Sequence, residues 1–105
     1  MSGLSTHVLD TANGQPAAGI KVRLYQGDTL LNSEMTNSDG RIPTMLPLGF
    51  TLSADTYRLV FEVAGYFPHS FFPEVAILFL VNDAAAHYHV PLLLSPFGYS
   101  TYRGS

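Results

Sequence analysis

The sequence predicts an all-β fold: a two-sheet antiparallel β-sandwich with at most one short helix, formed by residues 1–105 as a single domain. Three observations predict it. About eight short runs rich in β-branched and aromatic residues are each closed by a turn signal. Almost nothing recurs at the helical period. A chain of 105 residues buries one real core but not two.

In chain order, residues 5–10 form the first candidate strand, closed by Asn13-Gly14, a dipeptide that readily takes the positive φ of tight turns. Residues 20–25 alternate apolar and basic side chains, so one face is core and the other wet. Gln26-Gly27-Asp28 turns this strand into a weaker one over residues 29–36. Asp39-Gly40 marks the next turn, and Arg41 emerges just after it. Residues 42–52 carry two prolines and a glycine, which fits an edge strand or loop. Residues 57–63 carry the clearest isolated strand signal. Residues 64–70 hold room for one helical turn, which Pro68 limits. Residues 74–81 form a further strand, and Asn82 to Ala86 connect it to the closing stretch.

That closing stretch, residues 87–105, reads as two strands joined at Pro96-Phe97-Gly98. Alternation places His87, His89, Pro91 and Leu93 on one side, and Tyr88, Val90, Leu92 and Leu94 on the other. The second set is core. The first is half apolar and half titratable, as expected where a second subunit covers a sheet face and a small ligand lies between.

Composition points the same way. Charged residues make up 12% of the chain, about half the ~25% usual for globular proteins. So few charges leave apolar surface on a small monomer, and a stable oligomer is expected. The net charge of −3 without a basic run argues against nucleic-acid binding and attraction to anionic membranes. The absence of cysteine excludes disulfides, thiolate metal sites and a cysteine nucleophile. The stretch 1–6 has neither a basic nor an apolar leader segment, and the apolar run 75–81 is too short to span a bilayer as a helix. A cytoplasmic protein is expected.

The pair His87-x-His89 can hold zinc, which normally needs a third protein ligand; only His7 or His69 could add an imidazole. Alternatively the imidazoles transfer protons near neutrality. His7 in the first strand and His89 in the seventh could meet within the sandwich or across an interface. Arg41 suits a planar carbonyl or anionic substrate, although an arginine after a turn is often merely solvated. No Gly-x-Ser-x-Gly elbow, no acidic residue placed to orient a histidine and no glycine-rich phosphate cradle is present.

Three segments together carry a resemblance: Thr6-His7-Val8-Leu9-Asp10; Thr36-Asn37-Ser38-Asp39-Gly40-Arg41; and His87-Tyr88-His89-Val90-Pro91-Leu92-Leu93-Leu94-Ser95-Pro96, finished by Tyr102-Arg103-Gly104-Ser105. Over essentially the whole chain the sequence resembles the 5-hydroxyisourate hydrolases, or transthyretin-related proteins. The terminal tetrapeptide is specific: transthyretins keep the preceding pattern but lose it, and replace the catalytic histidines and arginine. The resemblance implies a transthyretin-like sandwich and a homotetramer, a dimer of edge-to-edge dimers, with sites at the dimer–dimer interface. It implies metal-free, cofactor-free general acid/base hydrolysis of 5-hydroxyisourate to 2-oxo-4-hydroxy-4-carboxy-5-ureidoimidazoline in urate degradation.

His7, Arg41 and His89 match the family's catalytic set, whereas His87 matches no principal catalytic position. Leu9, Pro91, Leu93, Ser100 and Tyr102 would line the channel with them, and Tyr102, Arg103, Gly104 and Ser105 would complete substrate binding. Between Tyr66-Phe67 and Phe71-Phe72-Pro73 the chain is shorter than the family pattern, and Pro68 falls where a short helix usually runs. The alternative is a non-catalytic, transthyretin-like carrier of small aromatic ligands.

Overall fold

A computed structural model describes residues 3–105. The first two residues of the N-terminal stretch read above lie outside the described residues. Nine strands follow in chain order: β1 (Gly3–Asp10), β2 (Gln15–Pro16), β3 (Lys21–Gln26), β4 (Thr29–Met35), β5 (Arg41–Ile42), β6 (Asp55–Glu62), β7 (Glu74–Val81), β8 (His87–Ser95) and β9 (Gly98–Thr101). One sheet runs β2-β1-β8-β9, with β5 also paired to β1; the other runs β4-β3-β6-β7. The all-β sandwich expected from strand-and-turn periodicity is therefore the fold.

One pairing departs from an antiparallel plan. β1 and β8 run parallel, from Gly3 opposite His87 to Asp10 opposite Leu94. Every other ladder is antiparallel. Alternation reveals which side chains share a face, but it is blind to the direction in which two strands remote in sequence meet.

The core lies between the sheets. Leu4 and Val8 from β1 and Tyr88, Val90, Leu92 and Leu94 from β8 meet Val22 and Leu24 from β3, Leu59 and Phe61 from β6, and Val75 and Ile77 from β7. Each large apolar side chain so buried contributes about 1.5–3 kcal/mol, more than one hydrogen bond's net ~1 kcal/mol.

The polar residues on this inner face are satisfied. Thr6 Oγ1 donates to the Val90 carbonyl at 2.6 Å, tying β1 to β8. Asp10, 1% exposed, accepts from the Asn13 amide, the Asn13 side chain and the Tyr66 hydroxyl at 2.9, 2.8 and 2.7 Å.

Residues 43–54 form a loop after the two-residue β5 and bury Met45 and Leu52. No helix forms at residues 64–70. The Tyr66 and Phe67 amides both donate to the Val63 carbonyl, and Ser70 to that of Phe67. Pro68, which lacks an amide hydrogen, cannot extend these turns into a helix. Among the described residues, no helix is long and apolar enough to cross a membrane.

Candidate active site

The parallel register of β1 and β8 builds the site. It sets Gly3 against His87, Ser5 against His89, His7 against Pro91 and Leu9 against Leu93. Because paired residues share a face, all eight lie on the outer side of the first sheet. Their inward neighbours Leu4, Thr6, Val8, Tyr88, Val90, Leu92 and Leu94 are buried. The face read from sequence as half apolar and half titratable is thus one continuous surface, and it brings His7 and His89 onto adjacent strands.

Ser5 joins the two histidines of β8. Its Oγ lies 2.9 Å from His87 Nε2 and 2.8 Å from His89 Nδ1. Among the described residues, His89 Nε2 has no hydrogen-bond partner. His7 is held differently: its Nε2 is 2.9 Å from the Asp39 carbonyl oxygen. A carbonyl only accepts, so this nitrogen carries the proton and the neutral ring keeps its lone pair on Nδ1.

Asp39 and Arg41 are positioned by the turn before β5. Asn37 Oδ1 accepts from the amides of Asp39 and Arg41 at 2.9 and 3.0 Å. The Gly40 amide donates to the Asn37 carbonyl at 2.9 Å. Gly40 has φ 73°, and the Val8 amide donates to its carbonyl at 2.7 Å. A side chain at Gly40 would strike the Val8 carbonyl oxygen, so glycine is required both for the turn and for its approach to β1. The result sets Arg41 directly opposite His7. Among the described residues, Arg23 and Lys21 pair with carboxylates, and Arg58 and Arg103 lie over tyrosine rings. Among the described residues, no carboxylate or aromatic ring holds the guanidinium of Arg41.

The C-terminal segment packs against His89. Gly104 bridges to it, donating its amide to the His89 carbonyl at 2.8 Å. A methyl group at Gly104 would lie 2.5 Å from His89 Cδ2 and 3.2 Å from Pro91 Cγ. Only a glycine lets the backbone pass over this imidazole.

A cavity of about 310 Å³ is lined by Ser5, Thr6, Arg41, Pro43, His87, His89 and Ser105. Its volume falls at the lower end of small-molecule sites, about 300–1,000 Å³. Of the residues expected from sequence, it gathers Arg41, His89 and Ser105, with His7 alongside on β1. Tyr102 and Arg103 line a neighbouring groove that also touches His89. The Arg103 guanidinium sits 4.5 Å from the centre of the Tyr88 ring. Leu93 and Ser100 line a separate shallow depression. Leu9 is half-buried on the same face, and Pro91 is buried beneath Gly104. His69 is exposed in the turn before β7. Among the described residues, no three His, Cys, Asp or Glu side chains gather as a metal-binding group. Sequence reading missed Ser5. Its place two residues before His7 puts it on the right face, but only the parallel pairing sets it against His89.

Electrostatics distinguish His89. Partial burial and then the charges of Arg41, His7 and His87 hold its imidazole below the ordinary 6.5, against a weaker opposing hydrogen bond at the Ser5 backbone. It is therefore neutral at pH 7, a state able to accept a proton.

Fold and site together define a class: a transthyretin-type sandwich that carries an imidazole-rich site on the outer face of one sheet. The chain belongs to the HIUase/Transthyretin family, whose family model matches residues 4–104. It is 51% identical to 5-hydroxyisourate hydrolase 2 of Rhizobium meliloti, over 97% of this chain and 95% of that protein. The structure of Klebsiella pneumoniae 5-hydroxyisourate hydrolase superposes with a TM-score of 0.90 at 39% identity, covering all of both chains. Sea bream transthyretin in complex with thyroxine superposes with a TM-score of 0.87 at 26% identity, covering 97% of this chain and 94% of that one.

Proposed function

We propose that this chain hydrolyses 5-hydroxyisourate to 2-oxo-4-hydroxy-4-carboxy-5-ureidoimidazoline, using general acid/base catalysis without a metal or cofactor. The observation that carries the reading is His89: half-buried, held neutral, its Nδ1 engaged by Ser5, its Nε2 without a hydrogen-bond partner among the described residues, and its side chain bordering a cavity shared with Arg41. Similarity to proteins named as hydrolases of this compound supports the choice of substrate.

In this mechanism His89 Nε2 takes a proton from water as its oxygen attacks the ring carbonyl. Arg41 stabilises the negative charge that develops on the carbonyl oxygen. The ring amide C–N bond then breaks and its nitrogen takes up a proton, leaving an N–H and a carboxylic acid that ionises to carboxylate by releasing its own proton to water. His7, oriented by the Asp39 carbonyl, offers Nδ1 as the second proton-transfer atom. Gly104 seats the His89 ring, and Ser105 borders the substrate. Arg103 anchors the terminal segment on Tyr88.

The proposal includes a homotetramer, a dimer of dimers, in which Leu9, Pro91, Leu93, Ser100 and Tyr102 line a shared channel. Tyr102, 58% exposed in the isolated chain, supports a covering partner. Light scattering of the purified protein measures the assembly.

A carrier of small aromatic ligands is the second reading, favoured by the likeness to thyroxine-bound sea bream transthyretin. One assay separates the two. 5-Hydroxyisourate is generated by urate oxidase and its ultraviolet decay is followed with and without the protein. Acceleration over the spontaneous decay supports the hydrolase, whereas a folded protein that leaves the decay unchanged overturns it.

A further inference from the structure

His87 has no part in the mechanism above, yet it is held as closely as His89. A methyl group at Gly3 would lie 2.5 Å from His87 Nδ1, so the ring rests on the β1 backbone. Its Nε2 points to the same hydroxyl that engages His89. Ser5 Oγ has one proton to donate. Among the described residues, the only hydrogen-bond partners of that hydroxyl are the two imidazoles, so one ring accepts from Ser5. With the other ring donating to it, the three groups form a chain with two orientations. In one, His89 Nδ1–H donates to Ser5, Ser5 donates to His87 Nε2, and His89 Nε2 carries the lone pair. In the other every proton is shifted by one position, and Nε2 of His89 is protonated.

We propose that Ser5 and His87 act as a proton relay behind His89, so that the proton taken from the attacking water is held on His87 until the leaving nitrogen requires it. This rests on the hydrolase reading and gives it a route for the proton. As His89 Nε2 accepts the water proton, its Nδ1 proton passes to Ser5 Oγ, and the Ser5 hydroxyl proton passes to His87 Nε2. His89 is then neutral again and His87 is an imidazolium. When the C–N bond breaks, the same steps run in reverse and His89 Nε2 delivers the proton to the departing nitrogen. No proton is gained or lost over the cycle.

Charge and exposure favour the outward transfer. His89 is half-buried opposite Ser5, two residues along from the row that holds His7 of β1 and Arg41 of β5, whereas His87 is exposed at the start of β8. A cation on His87 lies in water, two residues further along β8 from the row that holds Arg41. Ser5 and His87 are thus positioning and proton-holding residues, and of these three only His89 contacts substrate.

The test compares the wild-type protein with Ser5→Ala, Ser5→Thr, His87→Gln and the Ser5→Ala/His87→Gln double variant. kcat and KM for 5-hydroxyisourate are measured from pH 5 to 9 and in mixtures of H₂O and D₂O. Proton transfer by a positioned group typically contributes about 10²–10⁴-fold, and loss of a relay behind a base that remains in place should cost less than that. Ser5→Ala and His87→Gln are each expected to lower kcat about 10–100-fold with KM within about twofold. The isotope dependence should change from curved, with several protons in flight, to linear. Ser5→Thr should recover most of the rate, and the double variant should be no slower than the slower single one, since both break one chain. Wild-type kcat and a curved isotope dependence in His87→Gln would overturn the relay, as would multiplicative losses in the double variant.

Imidazole ¹⁵N shifts test the relay without turnover and whether or not Ser5→Ala folds. The Nδ1 and Nε2 shifts of His89, which report its tautomer, should change in His87→Gln because the two rings share the Ser5 hydroxyl. If the wild-type protein does not hydrolyse 5-hydroxyisourate, the functional reading falls alone; His89 shifts unchanged by His87→Gln would overturn the relay.

Discussion

Replacing Gly104 by alanine isolates the demand that the C-terminal tetrapeptide places on His89. Gly104 is not among the glycines with positive φ, so alanine introduces no backbone strain there. The effect is steric. The new methyl group would lie 2.5 Å from His89 Cδ2, about 0.9 Å short of ordinary contact at 3.4 Å. Either the imidazole tilts away, or the terminal segment lifts and weakens the 2.8 Å Gly104–His89 hydrogen bond. A misplacement near 1 Å costs catalysis about 100-fold, equivalent to about 2.7 kcal/mol of transition-state stabilisation. The stability effect should be smaller, about 1 kcal/mol for one hydrogen bond, or some 4–8 °C in Tm for a domain of this size. Steady-state decay of 5-hydroxyisourate gives kcat/KM, and calorimetry gives Tm. A Gly104→Ala protein with kcat/KM within threefold of wild type would refute the reasoning that this contact seats the base.

Other perturbations probe the remaining parts. Arg41→Lys keeps the charge but loses the planar fork, and is expected to lower kcat/KM about 100-fold with circular dichroism unchanged. His69→Asn, in an exposed turn away from the cavity, should leave the rate within twofold. Because His89 is held below 6.5 and is a base only when neutral, the acid limb of kcat/KM against pH should have its midpoint below 6.5. Arg41→Gln removes one cause of that depression and should move the midpoint upward; a downward movement would contradict the electrostatic account. Burial pushes the Asp10 carboxyl up, but hydrogen bonds from Asn13, Tyr66 and the Ala12 backbone together outweigh it and hold the pKa below 3.8. Its stabilisation is therefore fully present above the unfolded-state value and is lost as pH falls through the lower folded-state value. Asp10→Ala should cost about 3 kcal/mol at pH 7 by denaturant titration and flatten the loss of stability expected as pH falls below 3.8.

The strands were largely legible because alternation reports burial directly. Residues 74–81 match β7, and Tyr88, Val90, Leu92 and Leu94 face inward as their spacing requires. The direction of β8 against β1 was not legible, since no local pattern encodes how strands separated by more than 70 residues meet. The same gap concealed Ser5: its hydroxyl acquires meaning only when parallel register sets it between two imidazoles. The turn that carries Arg41 was visible in Asp39-Gly40. The Asp39 carbonyl that fixes the His7 tautomer was not, because backbone acceptors leave no trace in side-chain chemistry. Gly104 was marked by resemblance alone until the packing of His89 supplied its physical reason.

If a neutral His89 on the outer sheet face drives hydrolysis of 5-hydroxyisourate without a metal, both its removal and metal chelation have defined effects. The most direct measurement is the initial rate of 5-hydroxyisourate decay with EDTA present throughout, comparing wild type with His89→Asn. Asparagine keeps a hydrogen-bonding side chain but cannot accept the proton. Wild type should give rapid, EDTA-insensitive decay, and the variant should lose about 100-fold or more. Equal rates from the two proteins, or a wild-type rate abolished by EDTA, would rule out a metal-free His89 base.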